Sequence, residues 1–407
     1  MALSVSDDLM APEVIADPHS YYRRLRDQNP VHWNDRWGSW VLTRHDDVVQ
    51  VLRDSEAFSS DRMGYLEREL TEDEIEPIAP IFGVLSRWIV FTDPPLHTKL
   101  RMLVNREFSP KMVETYRGTV RKIVNDVLDE IEPQGHMEVV RDFAYQVPMT
   151  VILELMGVPD LIRVKIKEWS EQLGLFFFIR ADDPRRRQFA TQGVSALAGH
   201  LTHYLTHVIE EKAKSPDNDL ISRLLRAEMD GELTRDDVVA TCVLLALGGH
   251  ETTMNLIANG TLALIRHPDQ WERLKEDPGI IKTAVEELSR YDGSVMTTVR
   301  WARRDVEIGG ETIKAGQRVL VGLSGANRDP AQFEDPDVLD LTRDPNLHVA
   351  FAHGIHVCVG APLARMEVQE AFTALTSRLP CPKLETEELE YLPTVVGRSL
   401  RALRVVF

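Results

Sequence analysis

Three cysteines occur in the chain, Cys242, Cys358 and Cys381, and one of them is set on a loop built to present it. Cys358 lies in FAHGIHVCVGAPLAR, residues 351–365, with His356 two residues upstream and Gly354 and Gly360 on either side. Glycines let a backbone bend tightly around a side chain. The following run, APLARMEVQEAFTAL, forms a helix with Pro362 in its first turn, where proline is well suited. A thiolate at a helix N-terminus is favoured by the dipole and by nearby N–H groups. The plain alternative for any single cysteine is a buried thiol without a role. With no second cysteine or histidine at ligand spacing, a stabilised thiolate suits one axial bond to a metal already held elsewhere, and haem iron is such a metal.

Four further segments carry residues that could do chemistry. LGGHETT, residues 247–253, sets Glu251 and Thr252 behind two glycines. Each glycine costs a helix about 1 kcal/mol relative to alanine, so the pair marks a loosened turn. His250-Glu251 lacks the second histidine of a zinc protease, and His250 reads as a packed residue. DPPLHTKLR spaces His97 and Arg101 one turn apart at the start of a helix. EELSR places Glu287 and Arg290 on one helix face, where they can pair. VRWARRDVEIGG contributes Arg300, while Arg303 and Arg304 read as ordinary surface charges. Taken singly, each segment has a bland reading: a helix start, a surface ion pair, or threonines bonded to the preceding turn.

Together and in this order, the segments resemble the cytochrome P-450 (haem-thiolate monooxygenase) family, soluble bacterial type. FAHGIHVCVG is similar to the family's haem-binding loop, with Ala352 in place of the usual Gly or Ser. The resemblance spans nearly the whole chain, from about residue 17 onward. It implies haem b (iron protoporphyrin IX) held by Cys358 between a long central helix and the cysteine-loop helix. It implies that His97, Arg101, Arg300 and His356 meet the haem propionates, since buried carboxylates need charge-assisted partners. Gly249 and Gly248 correspond to the helix groove over the iron, Gly248 standing where Ala is commoner. Glu251 and Thr252 correspond to the acid–alcohol pair that delivers protons, while Glu287 and Arg290, with Arg343 downstream, are structural. Leu245, Gly248, Val295 and Thr297 are the expected substrate-lining positions. The activity implied is insertion of one oxygen atom from O₂ into a C–H or C=C bond of an apolar or moderately polar small molecule in secondary or catabolic metabolism. Electrons would come from a ferredoxin and its reductase, docking on a patch with Lys99, Arg106, Lys111 and Arg365. A peroxide-driven peroxygenase and a non-catalytic haem-thiolate sensor are the alternatives, and neither has use for the Glu251–Thr252 pair.

The elements that must position these residues can be traced in the chain. Its 407 residues, 43% hydrophobic and 27% charged, are ample for a packed core. We expect one domain over 1–407, mostly α with a minor β region. DPHSYYRRLRDQ reads as a helix after a turn, and SWVLTRHDDVVQVLRD as a strand running into a helix. Residues 61–90 lack periodicity and read as a long loop; with about 170–190, including the LGLFFFI run, they are the expected mobile access elements. The longest helix is predicted from Thr234, capped through Asp237, to Arg266 and His267 before Pro268, about 45–50 Å long. VEIGGETIKAGQRVLVG reads as a hairpin closed at Gly309-Gly310, and SLRALRVVF as a final strand. A net charge of −17 argues against nucleic acid and anionic membranes. The chain has no run of eighteen or more apolar residues, no secretory leader is expected from its opening MALSVSDDLMAPEVIADP, and its odd cysteine count suits a reducing compartment. The expectation is a cytoplasmic monomer.

Overall fold

The computed structural model describes residues 8–69, 71, 75, 76, 79–159, 162, 165, 166, 168, 169 and 200–407. Helices dominate, and the ten strands among the described residues are short. The chain groups into two compact units: Met1–Ser59, Pro110–Pro148 and Glu251–Phe407 in the first, Ser60–Ser109 and Met149–His250 in the second. The chain passes between them at 59/60, 109/110, 148/149 and 250/251, and no linker composition marks those crossings in the sequence.

The first unit contains a five-stranded sheet of β1 (Val31–Asn34), β2 (Ser39–Leu42), β3 (Phe58–Ser59), β4 (Thr297–Ala302) and β5 (Arg318–Gly322), ordered β1-β2-β5-β4-β3. The β2–β5 pair is parallel and the others antiparallel. Because strand side chains alternate between faces, Val319 and Val321 join one buried cluster with Leu42, Val48 and Leu52. Leu320 and Val41 join another with Tyr21, Tyr22 and Leu25. Helix His45–Arg53 thus covers one face and helix Pro18–Gln28 the other. Strands Val306–Ile308 and Glu311–Ile313 close at Gly309-Gly310, both glycines having positive φ, as this tight turn requires.

The helical part of this unit is built around Ala361–Arg378, which follows Cys358 and packs on Arg117–Ile131, Glu251–Arg266 and Ile281–Tyr291. Gly260 permits one of these approaches: a Cβ there would stand 2.7 Å from the Phe372 ring. In the second unit, Leu96–Glu107 and Arg235–Gly248 are the helices that matter for function. The Thr234–Asp237 capping box is formed in both directions, and the Asp237 carboxylate also accepts from Arg87 at 2.6 Å.

Two expectations need correction. The predicted long helix is two, Arg235–Gly248 and Glu251–Arg266. Gly249 caps the first, its N–H reaching the Leu245 carbonyl, and His250 Nδ1 lies 2.8 Å from the Ala246 carbonyl. A side chain thus sits where a continuing helix would use its backbone. The segment 61–90 is not one irregular loop either, since Arg62–Glu69 and Ala79–Leu85 are helical. Asp61 caps the former by accepting the Gly64 N–H at 2.9 Å. Helices of two turns are too short to show a period. The 170–190 segment lies outside the described residues. Among the described residues no helix is long and apolar enough to cross a membrane.

Candidate functional site

Cys358 is the exposed one of the three cysteines; Cys242 is buried and Cys381 half-buried. Burial pushes the Cys242 thiol up to about 12 and raises that of Cys381 as well, so neither is disposed to be a thiolate. The loop that carries Cys358 is fixed by its own main chain: Cys358 N–H donates to the Phe351 carbonyl at 2.9 Å and Val357 N–H to Gly354. Gly354 has φ +70°, and a Cβ there would stand 2.3 Å from the Leu52 carbonyl. This position can be nothing but glycine. Ala352 also adopts the left-handed region, at φ 59°, which strains a residue with a Cβ.

Side chains clamp the same loop. The Arg365 guanidinium lies 4.3 Å from the Phe351 ring centroid and donates two hydrogen bonds to Glu286, at 2.6 and 2.8 Å. His348 Nε2 meets the same carboxylate at 2.9 Å. Burial would raise the Glu286 carboxyl, but His348 and Arg365 outweigh it and hold it at about 2. One residue on, Glu287 and Arg290 form a fully buried pair with contacts of 2.7 and 2.8 Å. Arg290 also donates to the carbonyls of Asn327, Pro336 and Val338, while Glu287 accepts from Arg343, Asn346 and the Asp340 N–H. The pair therefore pins the irregular 327–346 stretch to the helix Ile281–Tyr291.

Within the first unit, Arg300 is buried on β4, its guanidinium donating to the Val299 carbonyl, and His356 sits two residues before the cysteine on the loop. Glu251 and Thr252 open the helix Glu251–Arg266 with exposed side chains. The Ser294 hydroxyl donates to the Thr252 carbonyl at 2.5 Å. Val295 bridges Gly397 and packs against the sheet cluster. Thr297 is buried with its hydroxyl committed to the Val395 carbonyl at 2.7 Å, which makes it a wall rather than a donor to a ligand.

In the second unit, His97 is 2% exposed in the first turn of Leu96–Glu107, and Arg101 follows one turn later. Leu245 is buried near the end of Arg235–Gly248. The two glycines that follow differ. A Cβ at Gly248 would meet nothing within 4 Å, whereas one at Gly249 would stand 2.5 Å from the Leu245 carbonyl and 2.8 Å from Ile152. Of the cations expected in a docking patch, Lys99 lies 4.0 Å from Asp237, Arg106 pairs with Glu232, and Arg365 is spent on Glu286.

Sequence reasoning missed Glu286, His348 and Ser294, and also Asn255 and Asn259. The two asparagines are buried in an apolar helix, one turn apart. Buried amides at that spacing are a legible sign of a polar seam.

A haem group fits the donor set. Among the described residues no cluster of three or more His, Cys, Asp or Glu side chains could hold a bare metal ion. A single exposed thiol ahead of an 18-residue helix suits a metal that brings its other ligands with it.

Comparison with known proteins agrees. The family model for cytochrome P450 matches residues 39–388. The biotin biosynthesis cytochrome P450 of Bacillus subtilis (strain 168) is 34% identical, covering 100% of both chains. The vitamin D(3) 25-hydroxylase of Pseudonocardia autotrophica is 37% identical over 98% of this chain and 96% of its own. The crystal structure of P450BioI, in complex with an acyl carrier protein ligated to hexadec-9Z-enoic acid, superposes with a TM-score of 0.89 at 35% identity, covering 97% of this chain and 100% of that one. Such similarity along the full length, in a mostly helical fold with small sheets, leaves one assignment: the chain belongs to the cytochrome P450 family and is an oxidoreductase of its monooxygenase class.

Proposed function

We propose that this P450 binds haem b through Cys358 and inserts one oxygen atom from O₂ into an apolar or moderately polar small molecule, by hydroxylation or epoxidation. Its working unit is the 1–407 chain as a monomer, in the cytoplasm, in secondary or catabolic metabolism, with electrons from a ferredoxin and its reductase. The observation that carries the reading is the contrast among the thiols: Cys358 is exposed on a clamped glycine loop, while burial disfavours the thiolate at Cys242 and Cys381. When bound, haem supplies the centre at which O₂ is reduced and its oxygen transferred, with thiolate donation favouring cleavage of the O–O bond.

The chain's own residues supply the rest. Arg300, His356, His97 and Arg101 would offer charge-assisted hydrogen bonds to the propionates. Gly249 removes a Cβ where backbone crowding forbids one, and Gly248 leaves open space beside the helix end. The Thr252 hydroxyl can donate a hydrogen bond and accept one at the same time, so it holds a proton donor in place. Glu251 stands about 100° away around the helix and can carry protons inward from solvent. Leu245, Gly248, Val295 and Thr297 shape the substrate side. One relative is named a vitamin D(3) 25-hydroxylase, and P450BioI was solved in complex with a fatty acid on an acyl carrier protein; a panel of fatty acids, terpenes, macrolides and aromatics is the range to screen.

The test is turnover with ferredoxin, its reductase, NADPH and O₂ on the panel compound that gives the largest spectral shift. Loss of a positioned proton donor typically costs a hundredfold or more. Thr252→Ala should therefore retain haem and substrate binding, with product formation falling about a hundredfold and hydrogen peroxide released in its place. Full coupling in that variant would contradict the relay.

A further inference from the structure

The turn that carries Thr252 is held from outside its own helix. Ser294 Oγ donates to the Thr252 carbonyl at 2.5 Å. Farther along the same helix, Asn255 Nδ2 donates to Ser399 Oγ at 2.8 Å, and Asn259 Nδ2 donates to the Arg398 carbonyl at 2.9 Å. Positions 252, 255 and 259 share one helix face. This face is a polar seam in an otherwise apolar helix, with Asn255 and Asn259 at 4% and 0% exposure.

The segments on the other side of the seam are themselves fixed. Arg398 N–H donates to the Ser294 carbonyl at 2.8 Å, Met296 N–H donates to Val396 at 2.7 Å, and Val295 bridges Gly397. The half-buried Asp292 carboxylate is joined to Arg398 at 3.4 Å and to His19 at 3.1 Å. Ser294 thus reaches the helix from a strut that cannot easily follow it. The same strut bears Val295 and Thr297, the expected substrate wall. Of the three rungs, only the first touches the opening turn of the helix, next to the break at Gly249-His250.

We propose that Ser294 is a positioning residue: its hydroxyl fixes the first turn of the helix Glu251–Arg266 and thereby the direction in which Thr252 presents its own hydroxyl. The inference rests on the reading of Thr252 as a proton-delivery residue. It adds a mechanical link, by which a ligand pressing on Val295 is felt at the relay through one side-chain hydrogen bond.

Ser294→Ala removes the donor at little cost in volume, and Ser294→Thr restores it. One net hydrogen bond corresponds to roughly a fivefold change in a local opening equilibrium. In the ferric holoenzyme without substrate, amide hydrogen exchange over residues 252–257 should be about fivefold faster in Ser294→Ala and return to the parent rate in Ser294→Thr. The reduced carbon monoxide spectrum should be unchanged in both. In turnover of the panel compound, the share of reducing equivalents lost as hydrogen peroxide should rise several-fold in Ser294→Ala and fall back in Ser294→Thr. A purely structural role would move neither the peroxide share nor its rescue. Unchanged exchange in Ser294→Ala overturns the tether, and faster exchange with an unchanged peroxide share overturns its role in positioning. If Thr252→Ala itself releases no extra peroxide, the relay reading fails, while the exchange measurement still decides whether the tether exists.

Discussion

The loop that carries Cys358 and the turn that carries Thr252 are built on opposite plans. The loop is over-determined. Its main chain is bonded to itself, its Phe351 lies under a guanidinium, and two adjacent glutamates, Glu286 and Glu287, anchor a ring of cations and carbonyls around it. The turn is shaped by a glycine pair, a histidine ring on a helix carbonyl and the Ser294 hydroxyl. The difference matches the tasks proposed for them. A metal ligand must stay in one place, so rigidity bought with buried charge is useful there. A proton relay must let side chains rotate, so hydrogen bonds that hold its backbone serve it better.

The largest expected effect comes from breaking the loop's support. Arg290→Ala leaves Glu287 as a buried charge without its bidentate partner, a change that costs about 3–5 kcal/mol. It should abolish accumulation of folded holoprotein, measured as the yield of haem-loaded protein and its thermal midpoint. A stable, haem-loaded variant would show that the pair is dispensable.

The glycine pair gives the next test. Gly249→Ala forces a Cβ against the Leu245 carbonyl and Ile152, and such overpacking costs about 1–3 kcal/mol. Gly248→Ala enters open space and should cost no more than a few tenths of a kcal/mol, or gain from helix propensity. Thermal midpoints of the two variants, side by side, check this; equal loss in both would remove the distinction between them.

The smallest effect sharpens the rigid side. Ala352 carries left-handed strain of about 1 kcal/mol, so Ala352→Gly should raise the midpoint by a few degrees at most, leaving the carbon monoxide spectrum unchanged. A lower midpoint would mean that the alanine methyl contributes packing worth more than the strain.

Much of this contrast could be read from the residues, though unevenly. The cysteine loop was legible because its requirements are local: Gly354 answers to one φ angle and one close carbonyl, and Pro362 to one helix start. The hairpin at Gly309-Gly310 and the Thr234 cap were legible for the same reason. The break after Gly248 was only half legible. The glycines announced a weak turn, but the role of the His250 ring depends on a carbonyl one turn back. The partners of the clamp, and of Ser294 at the seam, could not be read at all. Glu286 meets His348 and Arg365, and Ser294 meets Thr252, across separations of 42 to 79 residues, which no local pattern encodes. The two short helices within 61–90 escaped because two turns are too few to reveal a period.

The central claim is that one thiolate, from Cys358, holds the haem iron. Absorption of the reduced carbon monoxide complex tests it directly, since a thiolate ligand gives a strongly red-shifted band. Parent protein, Cys242→Ala and Cys381→Ala should all show that band, and Cys358→His should lose it while still binding haem. Persistence of the band in Cys358→His would contradict the account.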